Sequence, residues 1–309
     1  MLRKLLRMFK HFLSRNSDSS VDLTSLKLLQ GKLISMQVEK FGVLSDIEKS
    51  EFKVFSQFGE DGIIQYLIRI TKITNAESIF IEFGVQNYEE SNTRFLLMNN
   101  NWKGLIIDGD ENNIQHVKKS ELYWRQDLTA VTAFIDLDNI NMLISKAGLS
   151  GEIGLLSIDI DGNDYWVWEK IDVVNPVIVI VEYNSVFGKS HGITIPYDSI
   201  FERNKAHFSN LYWGCSLKAL QHLAKRKGYE LVGCNQAGNN AFFVRHDRLN
   251  GLQPKSVDDA YVESRFRESR NKAGELTYLS GKDRFSAIDT LPIVDIETNK
   301  TSILKDIIK

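Results

Sequence analysis

Seven short, mostly apolar runs punctuate the middle of the chain, at residues 78–83, 104–108, 121–125, 153–159, 177–182, 229–234 and 241–245. Most are rich in Ile and Val, side chains that suit a pleated and buried surface, so each is read as a strand. Between them, residues 60–72, 89–100, 111–119, 137–147, 164–171 and 216–227 place apolar positions at helical spacing. Strands alternating with helices predict a doubly wound, seven-stranded α/β sheet, mostly parallel and covered on both faces. Only Asn235 to Asn240 separates the last two runs, too short for a helical crossover, so the last strand is expected to run antiparallel.

Ahead of this region, Leu2, Leu5, Leu6, Phe9, Phe12 and Leu13 recur at helical spacing while Arg3, Lys4, Arg7, Lys10 and Arg15 fill the other face. Residues 1–15 therefore read as a basic amphipathic helix, a shape that can lie on an anionic membrane surface or dock on protein. A second apolar-periodic stretch continues to about Ile47. The chain divides into an N-terminal helical segment (1–50), the sheet domain (51–249) and a C-terminal extension (250–309). In the extension, residues 257–272 suggest a charged helix, and Leu252 and Tyr278 suggest contacts with the sheet. No internal repeat is visible.

With 309 residues, 43% of them hydrophobic, the chain can bury a sizeable core. A formal net charge of -2 leaves no global field to attract nucleic acid. Cys215 and Cys234 lie outside metal-ligand spacing and read as core thiols in a reducing compartment. No run reaches the roughly 18 to 20 apolar residues of a membrane span. A cytoplasmic location follows as the expectation, with residues 1–15 as the point of any peripheral contact with the inner face of a membrane.

In an open parallel sheet, ligands bind beyond the carboxyl ends of the strands, where the strand order reverses. The first run closes on Glu82, followed by Gly84 and polar loop residues that include Asn87. Glu82 can accept from an ammonium group, Gly84 permits close approach, and the N–H groups of the next helix can hold a carboxylate. The second run ends on Asp108, where an acidic residue commonly grips ribose hydroxyls. Asp127, placed after the expected third strand, can accept from an adenine amino group. Gln57, Glu60 and Asp61 open the first helix, either as helix-start chemistry or as contacts to the ligand.

At the fourth and fifth strand ends, Asp159 and Asp161, and Glu182 and Asn184, are spaced to face one side. On neighbouring strands such groups can hold Mg2+ or Mn2+, which favour oxygen ligands; alternatively they bond a sugar or cap the next helix. An EF-hand is excluded because Asp164 stands where glycine is required and Lys170 where glutamate is required. The long connection from Asn184 to Gly214 has the length of a binding loop, and His191 within it suits general base work. Tyr165, Trp166 and Trp168 offer faces for a sugar or for the core. His116, His207 and His222 fall in or near helical segments and read as packing residues.

Ser56-Gln57-Phe58-Gly59-Glu60-Asp61-Gly62, Phe80 to Gly84, Trp102 to Asp108 and Ser157-Ile158-Asp159-Ile160-Asp161-Gly162 resemble the FkbM-type methyltransferases over roughly Glu51 to Arg245. Against the family's K-I-D-x-E-G-x-E this chain has Ser157 and Asp161, and against D-x-G-A-x-x-G it has Glu82, Val85 and no second glycine. The resemblance implies a class I methyltransferase-like fold with strand order 3-2-1-4-5-7-6, and S-adenosyl-L-methionine as cofactor. The first reading is O-methylation of a small polar acceptor, a sugar or glycan hydroxyl or a nucleotide-activated sugar, with residues 184–214 shaping the acceptor site. Glu182-Tyr183-Asn184 is also similar to the acid-amide pair of metal-dependent O-methyltransferases. On this reading Asp159, Asp161, Glu182 and His191 carry catalysis, and Gln57, Glu60, Glu82, Gly84, Asn87, Asp108 and Asp127 bind cofactor. A non-catalytic module of the same fold, serving surface-glycan assembly, is the alternative. A nicotinamide dehydrogenase fits poorly because the first loop has too little glycine for a close pyrophosphate approach.

Overall fold

The strands form a seven-stranded sheet in the order β3-β2-β1-β4-β5-β8-β7. They are β1 (Ile79–Phe83), β2 (Lys103–Asp108), β3 (Leu128–Thr132), β4 (Gly151–Ile158), β5 (Val174–Glu182), β7 (Tyr229–Cys234) and β8 (Asn240–Arg245), with β6 (Ile193–Thr194) belonging to a second sheet. This computed structural model describes residues 23–308; the amphipathic helix expected over residues 1–15 lies outside them. All pairings from β3 through β5 are parallel, and β8 runs antiparallel between β5 and β7. The order matches the one implied by the resemblance, once the short β6 is set aside.

Each strand carries two cores because successive side chains leave a strand on opposite faces. Ile81, Phe83, Leu105, Ile107, Leu156 and Ile158 pack on one side, and Phe80, Ile106, Leu155, Ile178 and Ile180 on the other. The covering helices include α1 (residues 23–38), α2 (Glu60–Ile70), α3 (Arg94–Asn99), α4 (Glu111–Lys119), α6 (Ile140–Lys146), α7 (Asp164–Lys170) and α9 (Leu217–Arg226), while the short α8 (Arg203–Ala206) lies in the long connection. Cys215 and Cys234 are free thiols in this interior.

The expected third strand is a correction. Residues Glu121–Arg125 form a helical turn, α5, with none of its side chains buried and an ion pair of 3.1 Å between Glu121 and Arg125 one turn apart. Without a buried face, an apolar run has no reason to extend, and the charge pair supports the helix. The strand follows as Leu128–Thr132, where buried Leu128 and Ala130 alternate with half-buried Thr129 and Val131.

Two helices are shorter than their patterns suggest. α3 begins at Arg94, because Glu89 to Asn92 form an irregular loop, and the charged stretch after residue 257 is helical only in α10 (Val257–Ala260).

The long connection and the C-terminal extension meet. β6 pairs with β9 (Pro292–Asp295), which pairs with β10 (Lys300–Ile303). Phe187, Ile193, Ile195 and Leu211 from the connection share a small core with Ile288, Ile293 and Leu304 from the extension. Leu252 is buried in the main core, whereas Tyr278 is exposed. Among the described residues, no helix is long and apolar enough to cross a membrane.

Candidate active site

A cleft opens at the carboxyl ends of β1, β2, β4 and β5. A cavity of about 210 Å³ beside Asp108 and a larger one of about 530 Å³ beside Glu182 share Gly84, Gln86, Phe134, Asp159, Asp161 and Phe201 in their walls. A third cavity of about 350 Å³ continues past Glu182 and Arg203 beneath the C-terminal extension.

The end beside Asp108 is built by loop backbone. Asp108 Oδ2 accepts from Gln86 N at 2.7 Å, and Oδ1 accepts from Asp110 N at 2.9 Å and Asn113 Nδ2 at 3.1 Å. These bonds fix the carboxylate in the cleft wall, and Phe134, a residue 47% exposed, lines the same cavity. Gly84 has φ of +72°, and a Cβ there would stand 1.6 Å from the carbonyl oxygen of Asp159, so the glycine is demanded by the closeness of the β1 and β4 ends.

Glu82 serves the fold. Its buried carboxylate accepts from the hydroxyls of Ser91 and Thr93 and from the backbone N–H groups of Asn92 and Thr93. Burial, the largest influence, pushes its pKa up while these bonds oppose the shift. The loop it closes occupies the place where a helix N-terminus is expected from the sequence. Asn87 sits in the same loop and accepts from Glu89 N.

Asp127 precedes β3, a consequence of the displaced strand. It is exposed at the amino end of the sheet, where its carbonyl accepts from Gly104 N. The structure therefore does not bring it to the cleft.

The acids do converge. Carboxylate oxygens of Asp159, Asp161 and Glu182 lie within 4.8 Å of one another. Ile158 pairs with Val181, which sets Asp159 beside Glu182. Strand alternation does not explain Asp161, because β4 ends at Ile158 and Asp161 turns back with φ of +56°. Asp164 fixes this turn by accepting from Ile160 N and Gly162 N, both at 2.9 Å.

Arg203 Nη1 reaches Asp161 at 2.6 Å, and its guanidinium lies 4.8 Å from the centroid of the Trp213 ring. Glu182 is 8% exposed, and its Oε2 has no hydrogen-bond partner. Burial and then Asp161 raise the pKa of Asp159 well above the carboxylate range; burial and then Asp159 do the same for Glu182. Two carboxylates this close repel each other when both are charged, which is why each is shifted in the same direction.

The other expected residues divide. Gln57 is exposed in the cleft wall. Glu60 is wholly buried, accepting from Phe58 N, Gly59 N, Asn235 Nδ2 and Asn240 Nδ2, which ties its segment to the β7–β8 turn. Asp61 accepts from Val54 N, Phe55 N and Ser56 N.

Asn184 leaves the acid cluster: its Nδ2 donates to the carbonyls of Leu211 and Trp213, and its Oδ1 accepts from Val186 N. Spent on anchoring the long connection, it is not available as a fourth metal ligand. His191 sits before β6 beside Ser216 and Asp295 and does not line the cleft. Tyr165 and Trp168 are core residues, and Trp166 donates to the Ile195 carbonyl.

Arg203, Phe134, Phe201, Gln86 and Asn113 were not singled out from the sequence. A strand placed at residues 128–132 would have pointed to Phe134 as the residue just beyond its carboxyl end. Arg203 gives no such local signal, since 42 positions separate it from Asp161.

No family model matches this chain, and no curated protein matches it. Solved structures do. The N-terminal domain of EvdMO1 with SAH bound is similar over 62% of this chain and 80% of its own, at 10% identity and a TM-score of 0.41. An S-adenosylmethionine-dependent methyltransferase from Clostridium acetobutylicum ATCC 824 is similar over 60% of this chain and 90% of its own, at 10% identity and a TM-score of 0.38. The DszA carbon methyltransferase is similar over 60% of this chain and 53% of its own, at 13% identity and a TM-score of 0.37. The strand order and the single antiparallel strand are those of the class I methyltransferase fold.

Proposed function

We propose that this chain is an S-adenosylmethionine-dependent methyltransferase that methylates a hydroxyl of a sugar or glycan. The observation that carries the reading is the continuity of one cleft from Asp108 to the Asp159–Glu182 pair. Asp108, pre-oriented by three donors, suits ribose hydroxyls, and Phe134 offers a face to an adenine ring. Gln86 and Gln57 line the path between this end and the acids.

The fold and these residues fit S-adenosyl-L-methionine, which supplies the methyl group. Bound there, it would give its methyl group to the acceptor oxygen and depart as S-adenosylhomocysteine, and the Asp159–Glu182 pair would take the hydroxyl proton. The Asp159–Glu182 pair, placed in the cleft where His191 is not, takes over the base role first expected of His191. Holding the hydroxyl in line with the methyl group contributes much of the rate.

The unpartnered Oε2 of Glu182, with Asp159 and Asp161 beside it, also fits a hard cation such as Mg2+ or Mn2+. A bound cation supplies charge that favours the alkoxide form of the acceptor. These residues would then hold it without Asn184, and Arg203 would have to release Asp161.

Calorimetric titration with S-adenosylmethionine and S-adenosylhomocysteine tests the reading. Saturable binding that Asp108→Ala abolishes or weakens at least tenfold supports it. Failure of folded wild-type protein to bind either compound, with or without Mg2+, overturns it in favour of a non-catalytic module in surface-glycan assembly.

A further inference from the structure

The cavity on the far side of Glu182 from Asp108 is walled in part by the C-terminal extension, a segment whose sequence gave no functional signal. Two arginines from that segment, Arg267 and Arg284, line it. They differ from the other cleft arginine, since Arg203 has Asp161 as its counter-ion.

Arg284 is only 8% exposed, yet among the described residues no carboxylate lies within ion-pair distance of it, and Glu263 supports its charge only from farther away. Its Nη1 donates to the carbonyl of Ser264 at 2.9 Å, while its Nε, equally buried, has no partner. Burial pushes its pKa down from the ordinary guanidinium value. A guanidinium stays charged in proteins, and a buried one with no ion-pair partner is costly, so an anion that reaches it is held favourably.

Arg267 shares the wall. Its Nε donates to the Tyr278 carbonyl at 3.2 Å, and its charge rests 5.5 Å from the centroid of the Tyr278 ring. That ring braces the side chain without neutralising it. Glu268 lines the same cavity and has Arg270 at 3.8 Å. The extension thus brings positive charge to one end of a cleft whose middle is acidic.

We propose that the acceptor is anionic: a hydroxyl compound bearing a phosphate or carboxylate group that docks on Arg284 and Arg267, with its hydroxyl directed to the Asp159–Glu182 pair. This names the substrate class of the site described above and so rests on the methyltransferase reading. Guanidinium edges bind carboxylate and phosphate through paired N–H donors, and both Arg284 and Arg267 line this cavity. The neutral sugar hydroxyl and the anion are then recognised by separate groups, which fixes the direction in which the acceptor enters.

The test is calorimetric titration of the full chain with glucuronate, glucose 1-phosphate, inorganic phosphate and glucose, alongside S-adenosylhomocysteine as an independent probe. The wild type should bind glucuronate or glucose 1-phosphate at least tenfold more tightly than glucose, and which of the two is tighter identifies the anion. Arg267→Gln and Arg284→Gln should each weaken that binding at least tenfold while S-adenosylhomocysteine affinity stays within twofold. Should Arg284→Gln fail to fold, Arg284→Lys and the exposed Arg267→Gln decide. Equal affinity for the charged and neutral sugars, or anion binding that survives both substitutions, overturns the proposal. If the anions bind as expected but S-adenosylhomocysteine does not bind the wild type, the anion site stands and the methyltransferase reading fails.

Discussion

Gly84 and Asp159 meet backbone to backbone: a Cβ on residue 84 would lie 1.6 Å from the Asp159 carbonyl oxygen. The glycine loop after β1 and the acid that closes β4 are therefore one mechanical unit. The positive φ at Gly84 adds a second reason for glycine there, since a side chain in the left-handed region costs about 1 kcal/mol or more. Gly84→Ala should lower S-adenosylhomocysteine affinity at least tenfold and depress the melting temperature, read by calorimetry and circular dichroism. Unchanged affinity would show that the loop can move without disturbing the cofactor end.

Phe134 and Asp127 make a matched pair of tests, because one lies at the carboxyl end of β3 and the other at its amino end. Base–aromatic stacking is worth about 1–3 kcal/mol, so Phe134→Ala should weaken S-adenosylhomocysteine about tenfold. Asp127 is exposed and its side chain is remote from the cleft, so Asp127→Ala should leave that affinity within twofold. Calorimetry on both variants checks the assignment of the cofactor end; the reverse pattern would return Asp127 to the site.

The sheet was legible because its strands are buried on both faces and leave continuous apolar runs. β5, Val174–Glu182, is the plainest example, with one exposed residue along its length. The third strand was not, because Leu122, Tyr123 and Trp124 imitate a strand but lie on a surface turn, while Leu128–Thr132 is mostly half-buried and weakly apolar. Misplacing it carried Asp127 to the wrong end. Asp159 and Glu182 were readable as acids closing adjacent strands, whereas Asp161 joins them only through the turn after β4, and Asn184 was drawn away by carbonyls of Leu211 and Trp213. No local pattern shows that residues some 80 or 100 positions downstream, Arg267 and Arg284, return to wall the cavity beside Glu182.

The acid cluster makes the metal question measurable. Three carboxylates with oxygens within 4.8 Å, one with an unpartnered oxygen, should bind Mn2+ saturably in calorimetry. Glu182→Gln removes a ligand while preserving shape, and should weaken Mn2+ at least tenfold. S-adenosylhomocysteine affinity should stay within threefold, because Glu182 does not line the cavity beside Asp108. Protein that binds no Mn2+ would leave the Asp159–Glu182 pair as a proton acceptor acting without a cation.

Away from the cleft, Glu77 gives a pH signature of the scaffold itself. Arg248 holds it by a charged hydrogen bond, and Thr74 donates to it from backbone and hydroxyl at 2.8 and 2.9 Å. Arg248 is the largest influence, and together they lower the Glu77 pKa from 4.5 to about 2. The unfolded chain therefore binds the proton more readily than the folded one, so this contribution is fully present above about pH 4.5 and is lost as pH falls toward 2. Glu77→Gln should cost about 2 kcal/mol at pH 7, allowing for partial solvent screening of the pair. The difference between variant and wild type should shrink steadily below pH 4.5 in urea melts followed by circular dichroism. A difference that does not change with pH would mean that Glu77 stabilises the turn before β1 through its neutral bonds alone.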